Sequence, residues 1–138
     1  MDCNPNHILL VDDDALTNEF HKALIKKVTR FHGASSFTSS KDLLGHIKEC
    51  FRTKEELPFV YLIDIMMPDV DGFELIDELN EIYEQNGSLC SPRFIVATSS
   101  NHNRDLEKFE RLPNTKSYVQ KPLNEKKLIE AVEVISKD

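Results

Sequence analysis

The residues able to do chemistry in this chain gather at the ends of apolar runs. Ile8-Leu9-Leu10-Val11 ends in Asp12-Asp13-Asp14, and Phe59-Val60-Tyr61-Leu62-Ile63 ends at Asp64. Arg93–Thr98 leads into Ser99-Ser100, and Ser117–Gln120 leads into Lys121-Pro122. Carboxylates packed together repel one another and are costly unless something offsets the charge. A divalent cation held by hard oxygen ligands does so, with Mg²⁺ taking carboxylates, a carbonyl and retained waters. Lys121 adds a point charge and Thr98 a hydroxyl donor. Together they suit an anion carried on one aspartate.

These residues need elements to bring them to one rim. The continuous apolar runs suit strands buried on both faces, and stretches of helical period lie between them. Phe20, Leu24, Ile25, Val28 and Phe31 mark a first helix, with Gly33 as its C-cap. Asp14 reads as that helix's N-cap. Ala34–Phe37 is a short second strand. Ser39 and Asp42 resemble a capping box that opens a helix through Leu43, Leu44, Ile47 and Phe51. Pro58 breaks the pattern before the third strand. A helix follows with Phe73, Leu75, Ile76, Leu79, Ile82 and Tyr83, ended by Gly87. Leu106, Phe109 and Leu112 suggest a short fourth helix. Asn124 caps a last helix with Leu128, Val132 and Ile135 on one face. Five successive β–α units predict a doubly wound parallel sheet with helices on both faces and right-handed crossovers. In such sheets function gathers at the carboxyl ends of the strands.

The 138 residues are one domain's worth. Lys+Arg less Asp+Glu is 17 − 24 = −7, a poor balance for binding nucleic acid or a membrane surface. The four glycines, Gly33, Gly45, Gly72 and Gly87, stand in neither GxGxxG nor GxxxxGK spacing, which excludes the common nucleotide loops. Cys3, Cys50 and Cys90 are odd in number and far apart in sequence. They predict neither a disulfide nor a zinc site, and they favour a reducing cytoplasm. The start lacks a signal peptide's basic and apolar regions, and no apolar run approaches a membrane span.

Val11-Asp12-Asp13, Ile63–Gly72, Ala97-Thr98-Ser99 and Tyr118–Pro122, in that order and at strand ends, resemble the receiver domain of two-component response regulators. The likeness runs from about His7 to the last helix. The steps from Asp12 to Asp64, Asp64 to Thr98 and Thr98 to Lys121 are 52, 34 and 23 residues. The first two are long for that family, with the extra residues near Phe51–Leu57 and Glu84–Ser91. The resemblance implies a flavodoxin-like five-stranded sheet of order 2-1-3-4-5 with five helices. With only Lys137 and Asp138 after the last helix, a single receiver domain over 1–138 without an output domain is expected. By the same likeness Asp64 is the phosphoacceptor. Asp12, Asp13, Asp64 and the Met66 backbone carbonyl would hold Mg²⁺, with Mn²⁺ as an alternative; Asp12 would act through water. Thr98, Ser99, Lys121 and Tyr118 would bind the phosphoryl group or switch with it, and Lys121-Pro122 would be a cis peptide. The expected partners are a sensor histidine kinase or phosphotransfer protein, docking near the first helix, and a downstream protein. That target would meet a face including Glu107, Glu110, Tyr118 and Lys126, with the chain a monomer or weak dimer in the cytoplasm.

Asp69 and Asp71 read as loop and turn residues, and the five histidines as surface or satisfied groups. Met66 and Ser100 would flank an attacking water without orienting it, so self-dephosphorylation is expected on the order of minutes to hours. Two other readings compete. A haloacid-dehalogenase-type phosphatase expects a second acid where Met66 stands. A degenerate receiver acting as a scaffold conflicts with five intact positions, Asp12, Asp13, Asp64, Thr98 and Lys121. The chain thus reads as a stand-alone, phosphorylation-operated binding module rather than an enzyme on an outside substrate.

Overall fold

The computed structural model describes residues 3–28, 31–54, 56–65, 67, 71–98 and 103–136. Strands and helices alternate: β1 (Cys3–Val11), α1 (Ala15–Val28), β2 (Gly33–Phe37), α2 (Ser40–Thr53), β3 (Leu57–Asp64), α3 (Gly72–Gln85), β4 (Arg93–Thr98), α4 (Asn103–Arg111), β5 (Thr115–Gln120) and α5 (Glu125–Ser136). The five strands are parallel, in the expected order β2-β1-β3-β4-β5.

Why residues 8–11, 59–63 and 94–97 of the central strands are continuously apolar is visible in how they divide their side chains. Alternate residues point to opposite faces. Leu9, Val11, Tyr61, Ile63, Phe94 and Val96 pack in one core with side chains of α2, α3 and Phe109 of α4. Ile8, Leu10, Val60, Leu62, Ile95 and Ala97 pack in the other with Ile25 of α1 and Leu128, Val132 and Ile135 of α5. Both faces are covered, so neither register tolerates polar residues.

Local signals set the helix starts. Ser39 Oγ accepts from Asp42 N at 3.1 Å, Asn124 Oδ1 from Lys127 N at 2.8 Å, and Asp14 Oδ1 from Leu16 N at 2.9 Å. Each such cap is worth about 1 kcal/mol. Asp71, expected in a turn, caps α3 by accepting from Glu74 N at 2.9 Å. Past the end of α3, Gly87 takes φ +63°, a left-handed conformation that suits glycine.

Five expectations are corrected. β1 begins at Cys3 rather than Ile8, because Cys3 and Asn4 pair with Leu57 and Pro58. Pro58 therefore lies inside β3 and does not precede it. The ladder shifts register between Asn4 and Ile8, where a residue without an N–H is tolerated. Gly33 opens β2 instead of capping α1. Phe20 is 52% exposed, and the inner face of α1 is formed by Asn18, His21 and Ile25. Cys3 and Cys90 form a disulfide, with Cα atoms 6.3 Å apart across 87 residues of sequence. Spacing in sequence hid this pair, since only the lengthened β1 brings Cys3 to the α3–β4 loop. The cysteine count consequently no longer argues for a reducing compartment.

Candidate functional site: an acidic rim with one lysine

The carboxyl ends of β1 and β3 lie side by side, because these strands pair in register from Ile8 with Val60 to Val11 with Ile63. Asp12 follows β1 and Asp64 closes β3. Carboxylate oxygens of Asp12, Asp13 and Asp64 lie within 4.8 Å of one another. Asp12 and Asp64 are 3% and 6% exposed, whereas Asp13 faces solvent.

Backbone contacts hold this loop. Asp12 N donates to Phe37 O at 3.1 Å, which ties the end of β1 to the end of β2. The Asn18 carboxamide of α1 reinforces the tie by donating to Asp12 O at 3.0 Å and Phe37 O at 3.2 Å. One Asp12 oxygen accepts from Asp14 N at 3.0 Å, and the other from Lys121 Nζ at 2.5 Å.

Lys121 arrives from the far side of the sheet. Its N–H donates to Thr98 O at 2.7 Å, anchoring it where β4 and β5 end, and its peptide bond to Pro122 is cis, as expected. The side chain reaches back to Asp12 and also lies 3.2 Å from Asp64. Burial alone would lower the Lys121 pKa, but the Asp12 hydrogen bond and the Asp64 and Asp12 charges outweigh it and hold it above the ordinary lysine value. Thr98, 4% exposed, ends β4 beside this cluster.

The donor set fits a hard divalent cation. Three carboxylates against one ammonium leave two formal negative charges (3 − 1 = 2), and every ligand atom is oxygen. Asp13 is the carboxylate with no lysine partner among the described contacts. Met66, Ser99 and Ser100 lie outside the described residues. Beyond Asp64, Ile65 and Gly72 lie against each other. Gly72 N donates to Ile65 O at 3.1 Å, and a Cβ on Gly72 would sit 2.7 Å from Ile65 Cα.

The response regulator receiver domain family matches residues 8–133. The chain belongs to the receiver domain family of two-component response regulators. The receiver is 27% identical over 132 residues to the sensory transduction protein LytT of Enterococcus faecalis, covering 96% of this chain and 48% of that protein. It spans about half the length of the curated relatives it matches. Among solved structures it resembles a two component response regulator from Cytophaga hutchinsonii, at 28% identity and TM-score 0.78, covering 95% of this chain and 97% of that one. It shares its fold with a chain from the co-crystal structure of the Saccharomyces cerevisiae histidine phosphotransfer protein Ypd1 and the receiver domain of Ssk1. That match has 20% identity and TM-score 0.74, over 91% of this chain and 85% of that one.

Two groups of the receiver's site escaped the sequence reading. Asn18 and His21 are 1% and 4% exposed on a helix whose apolar spacing pointed elsewhere. Burial, then the Lys121 charge, lowers the His21 pKa against an opposing pull from Asp12. The legible signal was a polar residue at helical spacing behind the aspartates. Away from the acids, Tyr118 is half-buried and donates from its hydroxyl to Glu110 at 2.9 Å. Its pKa is raised by burial and by that carboxylate.

Proposed function

We propose that Asp64 accepts a phosphoryl group from a phosphohistidine and that the receiver then alters its binding to a downstream protein. The observation that carries this reading is Lys121 joining Asp12 and Asp64 beside Asp13 and the end of β4. An Asp64 carboxylate oxygen forms the new P–O bond as the P–N bond of the donor breaks; the electron pair of that bond leaves with the imidazole, which takes a proton from solvent. Bound Mg²⁺, or Mn²⁺, held by Asp13, Asp64 and Asp12 through water, would neutralise charge on the transferred oxygens. Lys121 supplies the protein's own cation to the same oxygens. Thr98 donates its hydroxyl to the phosphoryl group, and Tyr118 gives up Glu110 to follow it inward. Phosphorylation thereby biases an existing two-state equilibrium.

The donor would dock on α1. Leu16 is 80% and Phe20 52% exposed, and they line an apolar groove with His21, Lys121, Pro122 and Leu123 that opens beside the acids. The likeness to a receiver solved with a phosphotransfer protein supports such a donor. A second groove, between Phe109, Glu110, Tyr118 and Lys127, suits the downstream protein, because Tyr118 forms part of its wall. The described residues contain no helix long and apolar enough to cross a membrane. No turnover of an outside substrate is proposed.

Acetyl phosphate with Mg²⁺ tests the reading. Intact-mass measurement should show one phosphoryl group on the wild type and none on Asp64→Asn. Labelling that survives Asp64→Asn, or steady turnover of a generic phosphate ester, overturns it.

A further inference from the structure

We infer that Cys3 and Cys90 form a reversible thiol–disulfide site, one that takes a small-molecule disulfide as oxidant and staples the amino-terminal rim of the sheet. Each cysteine is held in place independently of the bond. Cys3 pairs with Leu57 in the β1–β3 ladder. Cys90 sits in a turn built by Ser88, whose Oγ donates to Cys90 O at 2.8 Å and accepts from Cys90 N at 3.3 Å. That turn is fixed in turn to α3 through Ser88 N and Tyr83 O, 3.1 Å apart. The Cα separation of 6.3 Å lies within the range a disulfide spans, so the thiols stay in reach of each other when the bond opens.

Access distinguishes this pair from the third cysteine. Cys3 and Cys90 are both half-exposed. Cys50 is 3% exposed, inside the core, with its sulfur 3.7 Å from His46 Nε2. Exchange needs an attacking thiolate that reaches the oxidant, which selects the pair. The Cys90 sulfur lies 3.5 Å from the Ser88 hydroxyl. As a thiolate it attacks the small disulfide, forms a mixed disulfide and expels one small thiolate. The Cys3 thiolate then attacks the Cys90 sulfur and expels the second. Two protein thiols and one small disulfide become one protein disulfide and two small thiols, which carry off the two electrons and two protons. A small thiol runs the sequence backwards.

The staple lies at the opposite end of the strands from the acids. β1 runs nine residues from Cys3 to Val11, roughly 30 Å at the usual strand rise. Redox state therefore sets the stability of the receiver while leaving its phosphorylation chemistry alone.

The test equilibrates the wild type in graded mixtures of oxidised and reduced glutathione, then counts thiols by alkylation and peptide mass. Cys3 and Cys90 should lose reactivity together and recover it on reversing the mixture, with Cys50 remaining a thiol. The oxidised form should melt on the order of 10 °C higher than the reduced form. Melting of Cys3→Ser/Cys90→Ser should not respond to glutathione, and acetyl-phosphate labelling of the wild type should agree within about twofold in both states. Linked dimers, oxidation of Cys50, separate titration of the two thiols, or equal melting of the two forms would each overturn the inference. Thiol counting needs no variant and no phosphorylation, so it fails or succeeds apart from the proposed function.

Discussion

The two ends of the sheet are held together by opposite means. At the carboxyl rim, three carboxylates crowd around one ammonium, and the loop rests on hydrogen bonds from Asp12 N, Asn18 and Lys121. At the amino rim a disulfide joins Cys3 to Cys90. Beside it the buried Tyr83 hydroxyl donates to Pro58 O at 2.5 Å and lies 2.5 Å from the Tyr61 hydroxyl. Like charges held close are a stored destabilisation, which function needs and folding does not. The amino rim, free of that demand, uses a covalent bond and a buried pair of tyrosine hydroxyls. Between them lie strand residues such as Ile8, Leu9, Tyr61 and Phe94 that are 0% exposed. On the proposed function, activity and stability are thus partitioned along the strands.

Four perturbations should sharpen or break that partition. Asp64→Asn should remove at least 100-fold of acetyl-phosphate labelling, with a melting temperature no lower than the wild type's, because it relieves charge at the acidic rim; a large loss of stability would contradict the comparison. Gly72→Ala is the substitution expected to cross the boundary. Its Cβ would meet Ile65 Cα at 2.7 Å, next to Asp64, costing about 1–3 kcal/mol in denaturant unfolding and slowing labelling as well. Tyr83→Phe leaves Pro58 O and the Tyr61 hydroxyl short of a partner and should cost about 1–2 kcal/mol. Its labelling rate should be unchanged, and slower labelling would mean that the rims communicate.

The smallest effect is a pH dependence. His7 lies under Gly33, with Nε2 2.8 Å from Ser35 Oγ. Burial first, then the His46 charge, lowers its pKa below 6.5, with Glu56 opposing. A lowered pKa in the folded state means that the unfolded chain binds the proton more readily. Stability present above pH 6.5 is therefore lost as pH falls through the folded value. His21, lowered as well, acts in the same sense. His7→Gln should make the fall in melting temperature between pH 7 and pH 5.5 shallower without abolishing it, and an unchanged slope would remove His7 from this account.

What could be read from the chain alone was whatever local pattern determines. Continuous apolar runs marked the central strands, because both faces are covered. Ser39, Asp14 and Asn124 marked helix starts, because a cap is set by its neighbours in sequence. The acids, Thr98 and Lys121 were legible as strand-end residues. What was not legible depends on distant parts of the chain. Phe20 fits the apolar period of α1, but the place it would fill is taken by Asn18 and His21, which face the polar end of the sheet. Pro58 is a local breaker that a shift in the β1–β3 ladder accommodates. Cys3 meets Cys90 only once β1, β3 and the loop before β4 are in place.

The disulfide also divides the chain topologically. Residues 3–90 become a closed ring holding β2, β1 and β3, with α1, α2 and α3 between and after them; the remainder is an open tail with β4 and β5. Since the sheet order is β2-β1-β3-β4-β5, ring and tail meet within the sheet along a single seam, β3 against β4. All three acids belong to the ring, whereas Thr98, Tyr118 and Lys121 belong to the tail. The Lys121 bridge to Asp12 and Asp64 is then a non-covalent clasp across that seam. Cooperative opening units often follow supersecondary boundaries. In the oxidised protein the tail's amides should therefore exchange with solvent before the ring's, and a phosphoryl group on Asp64 would grip the seam from both sides.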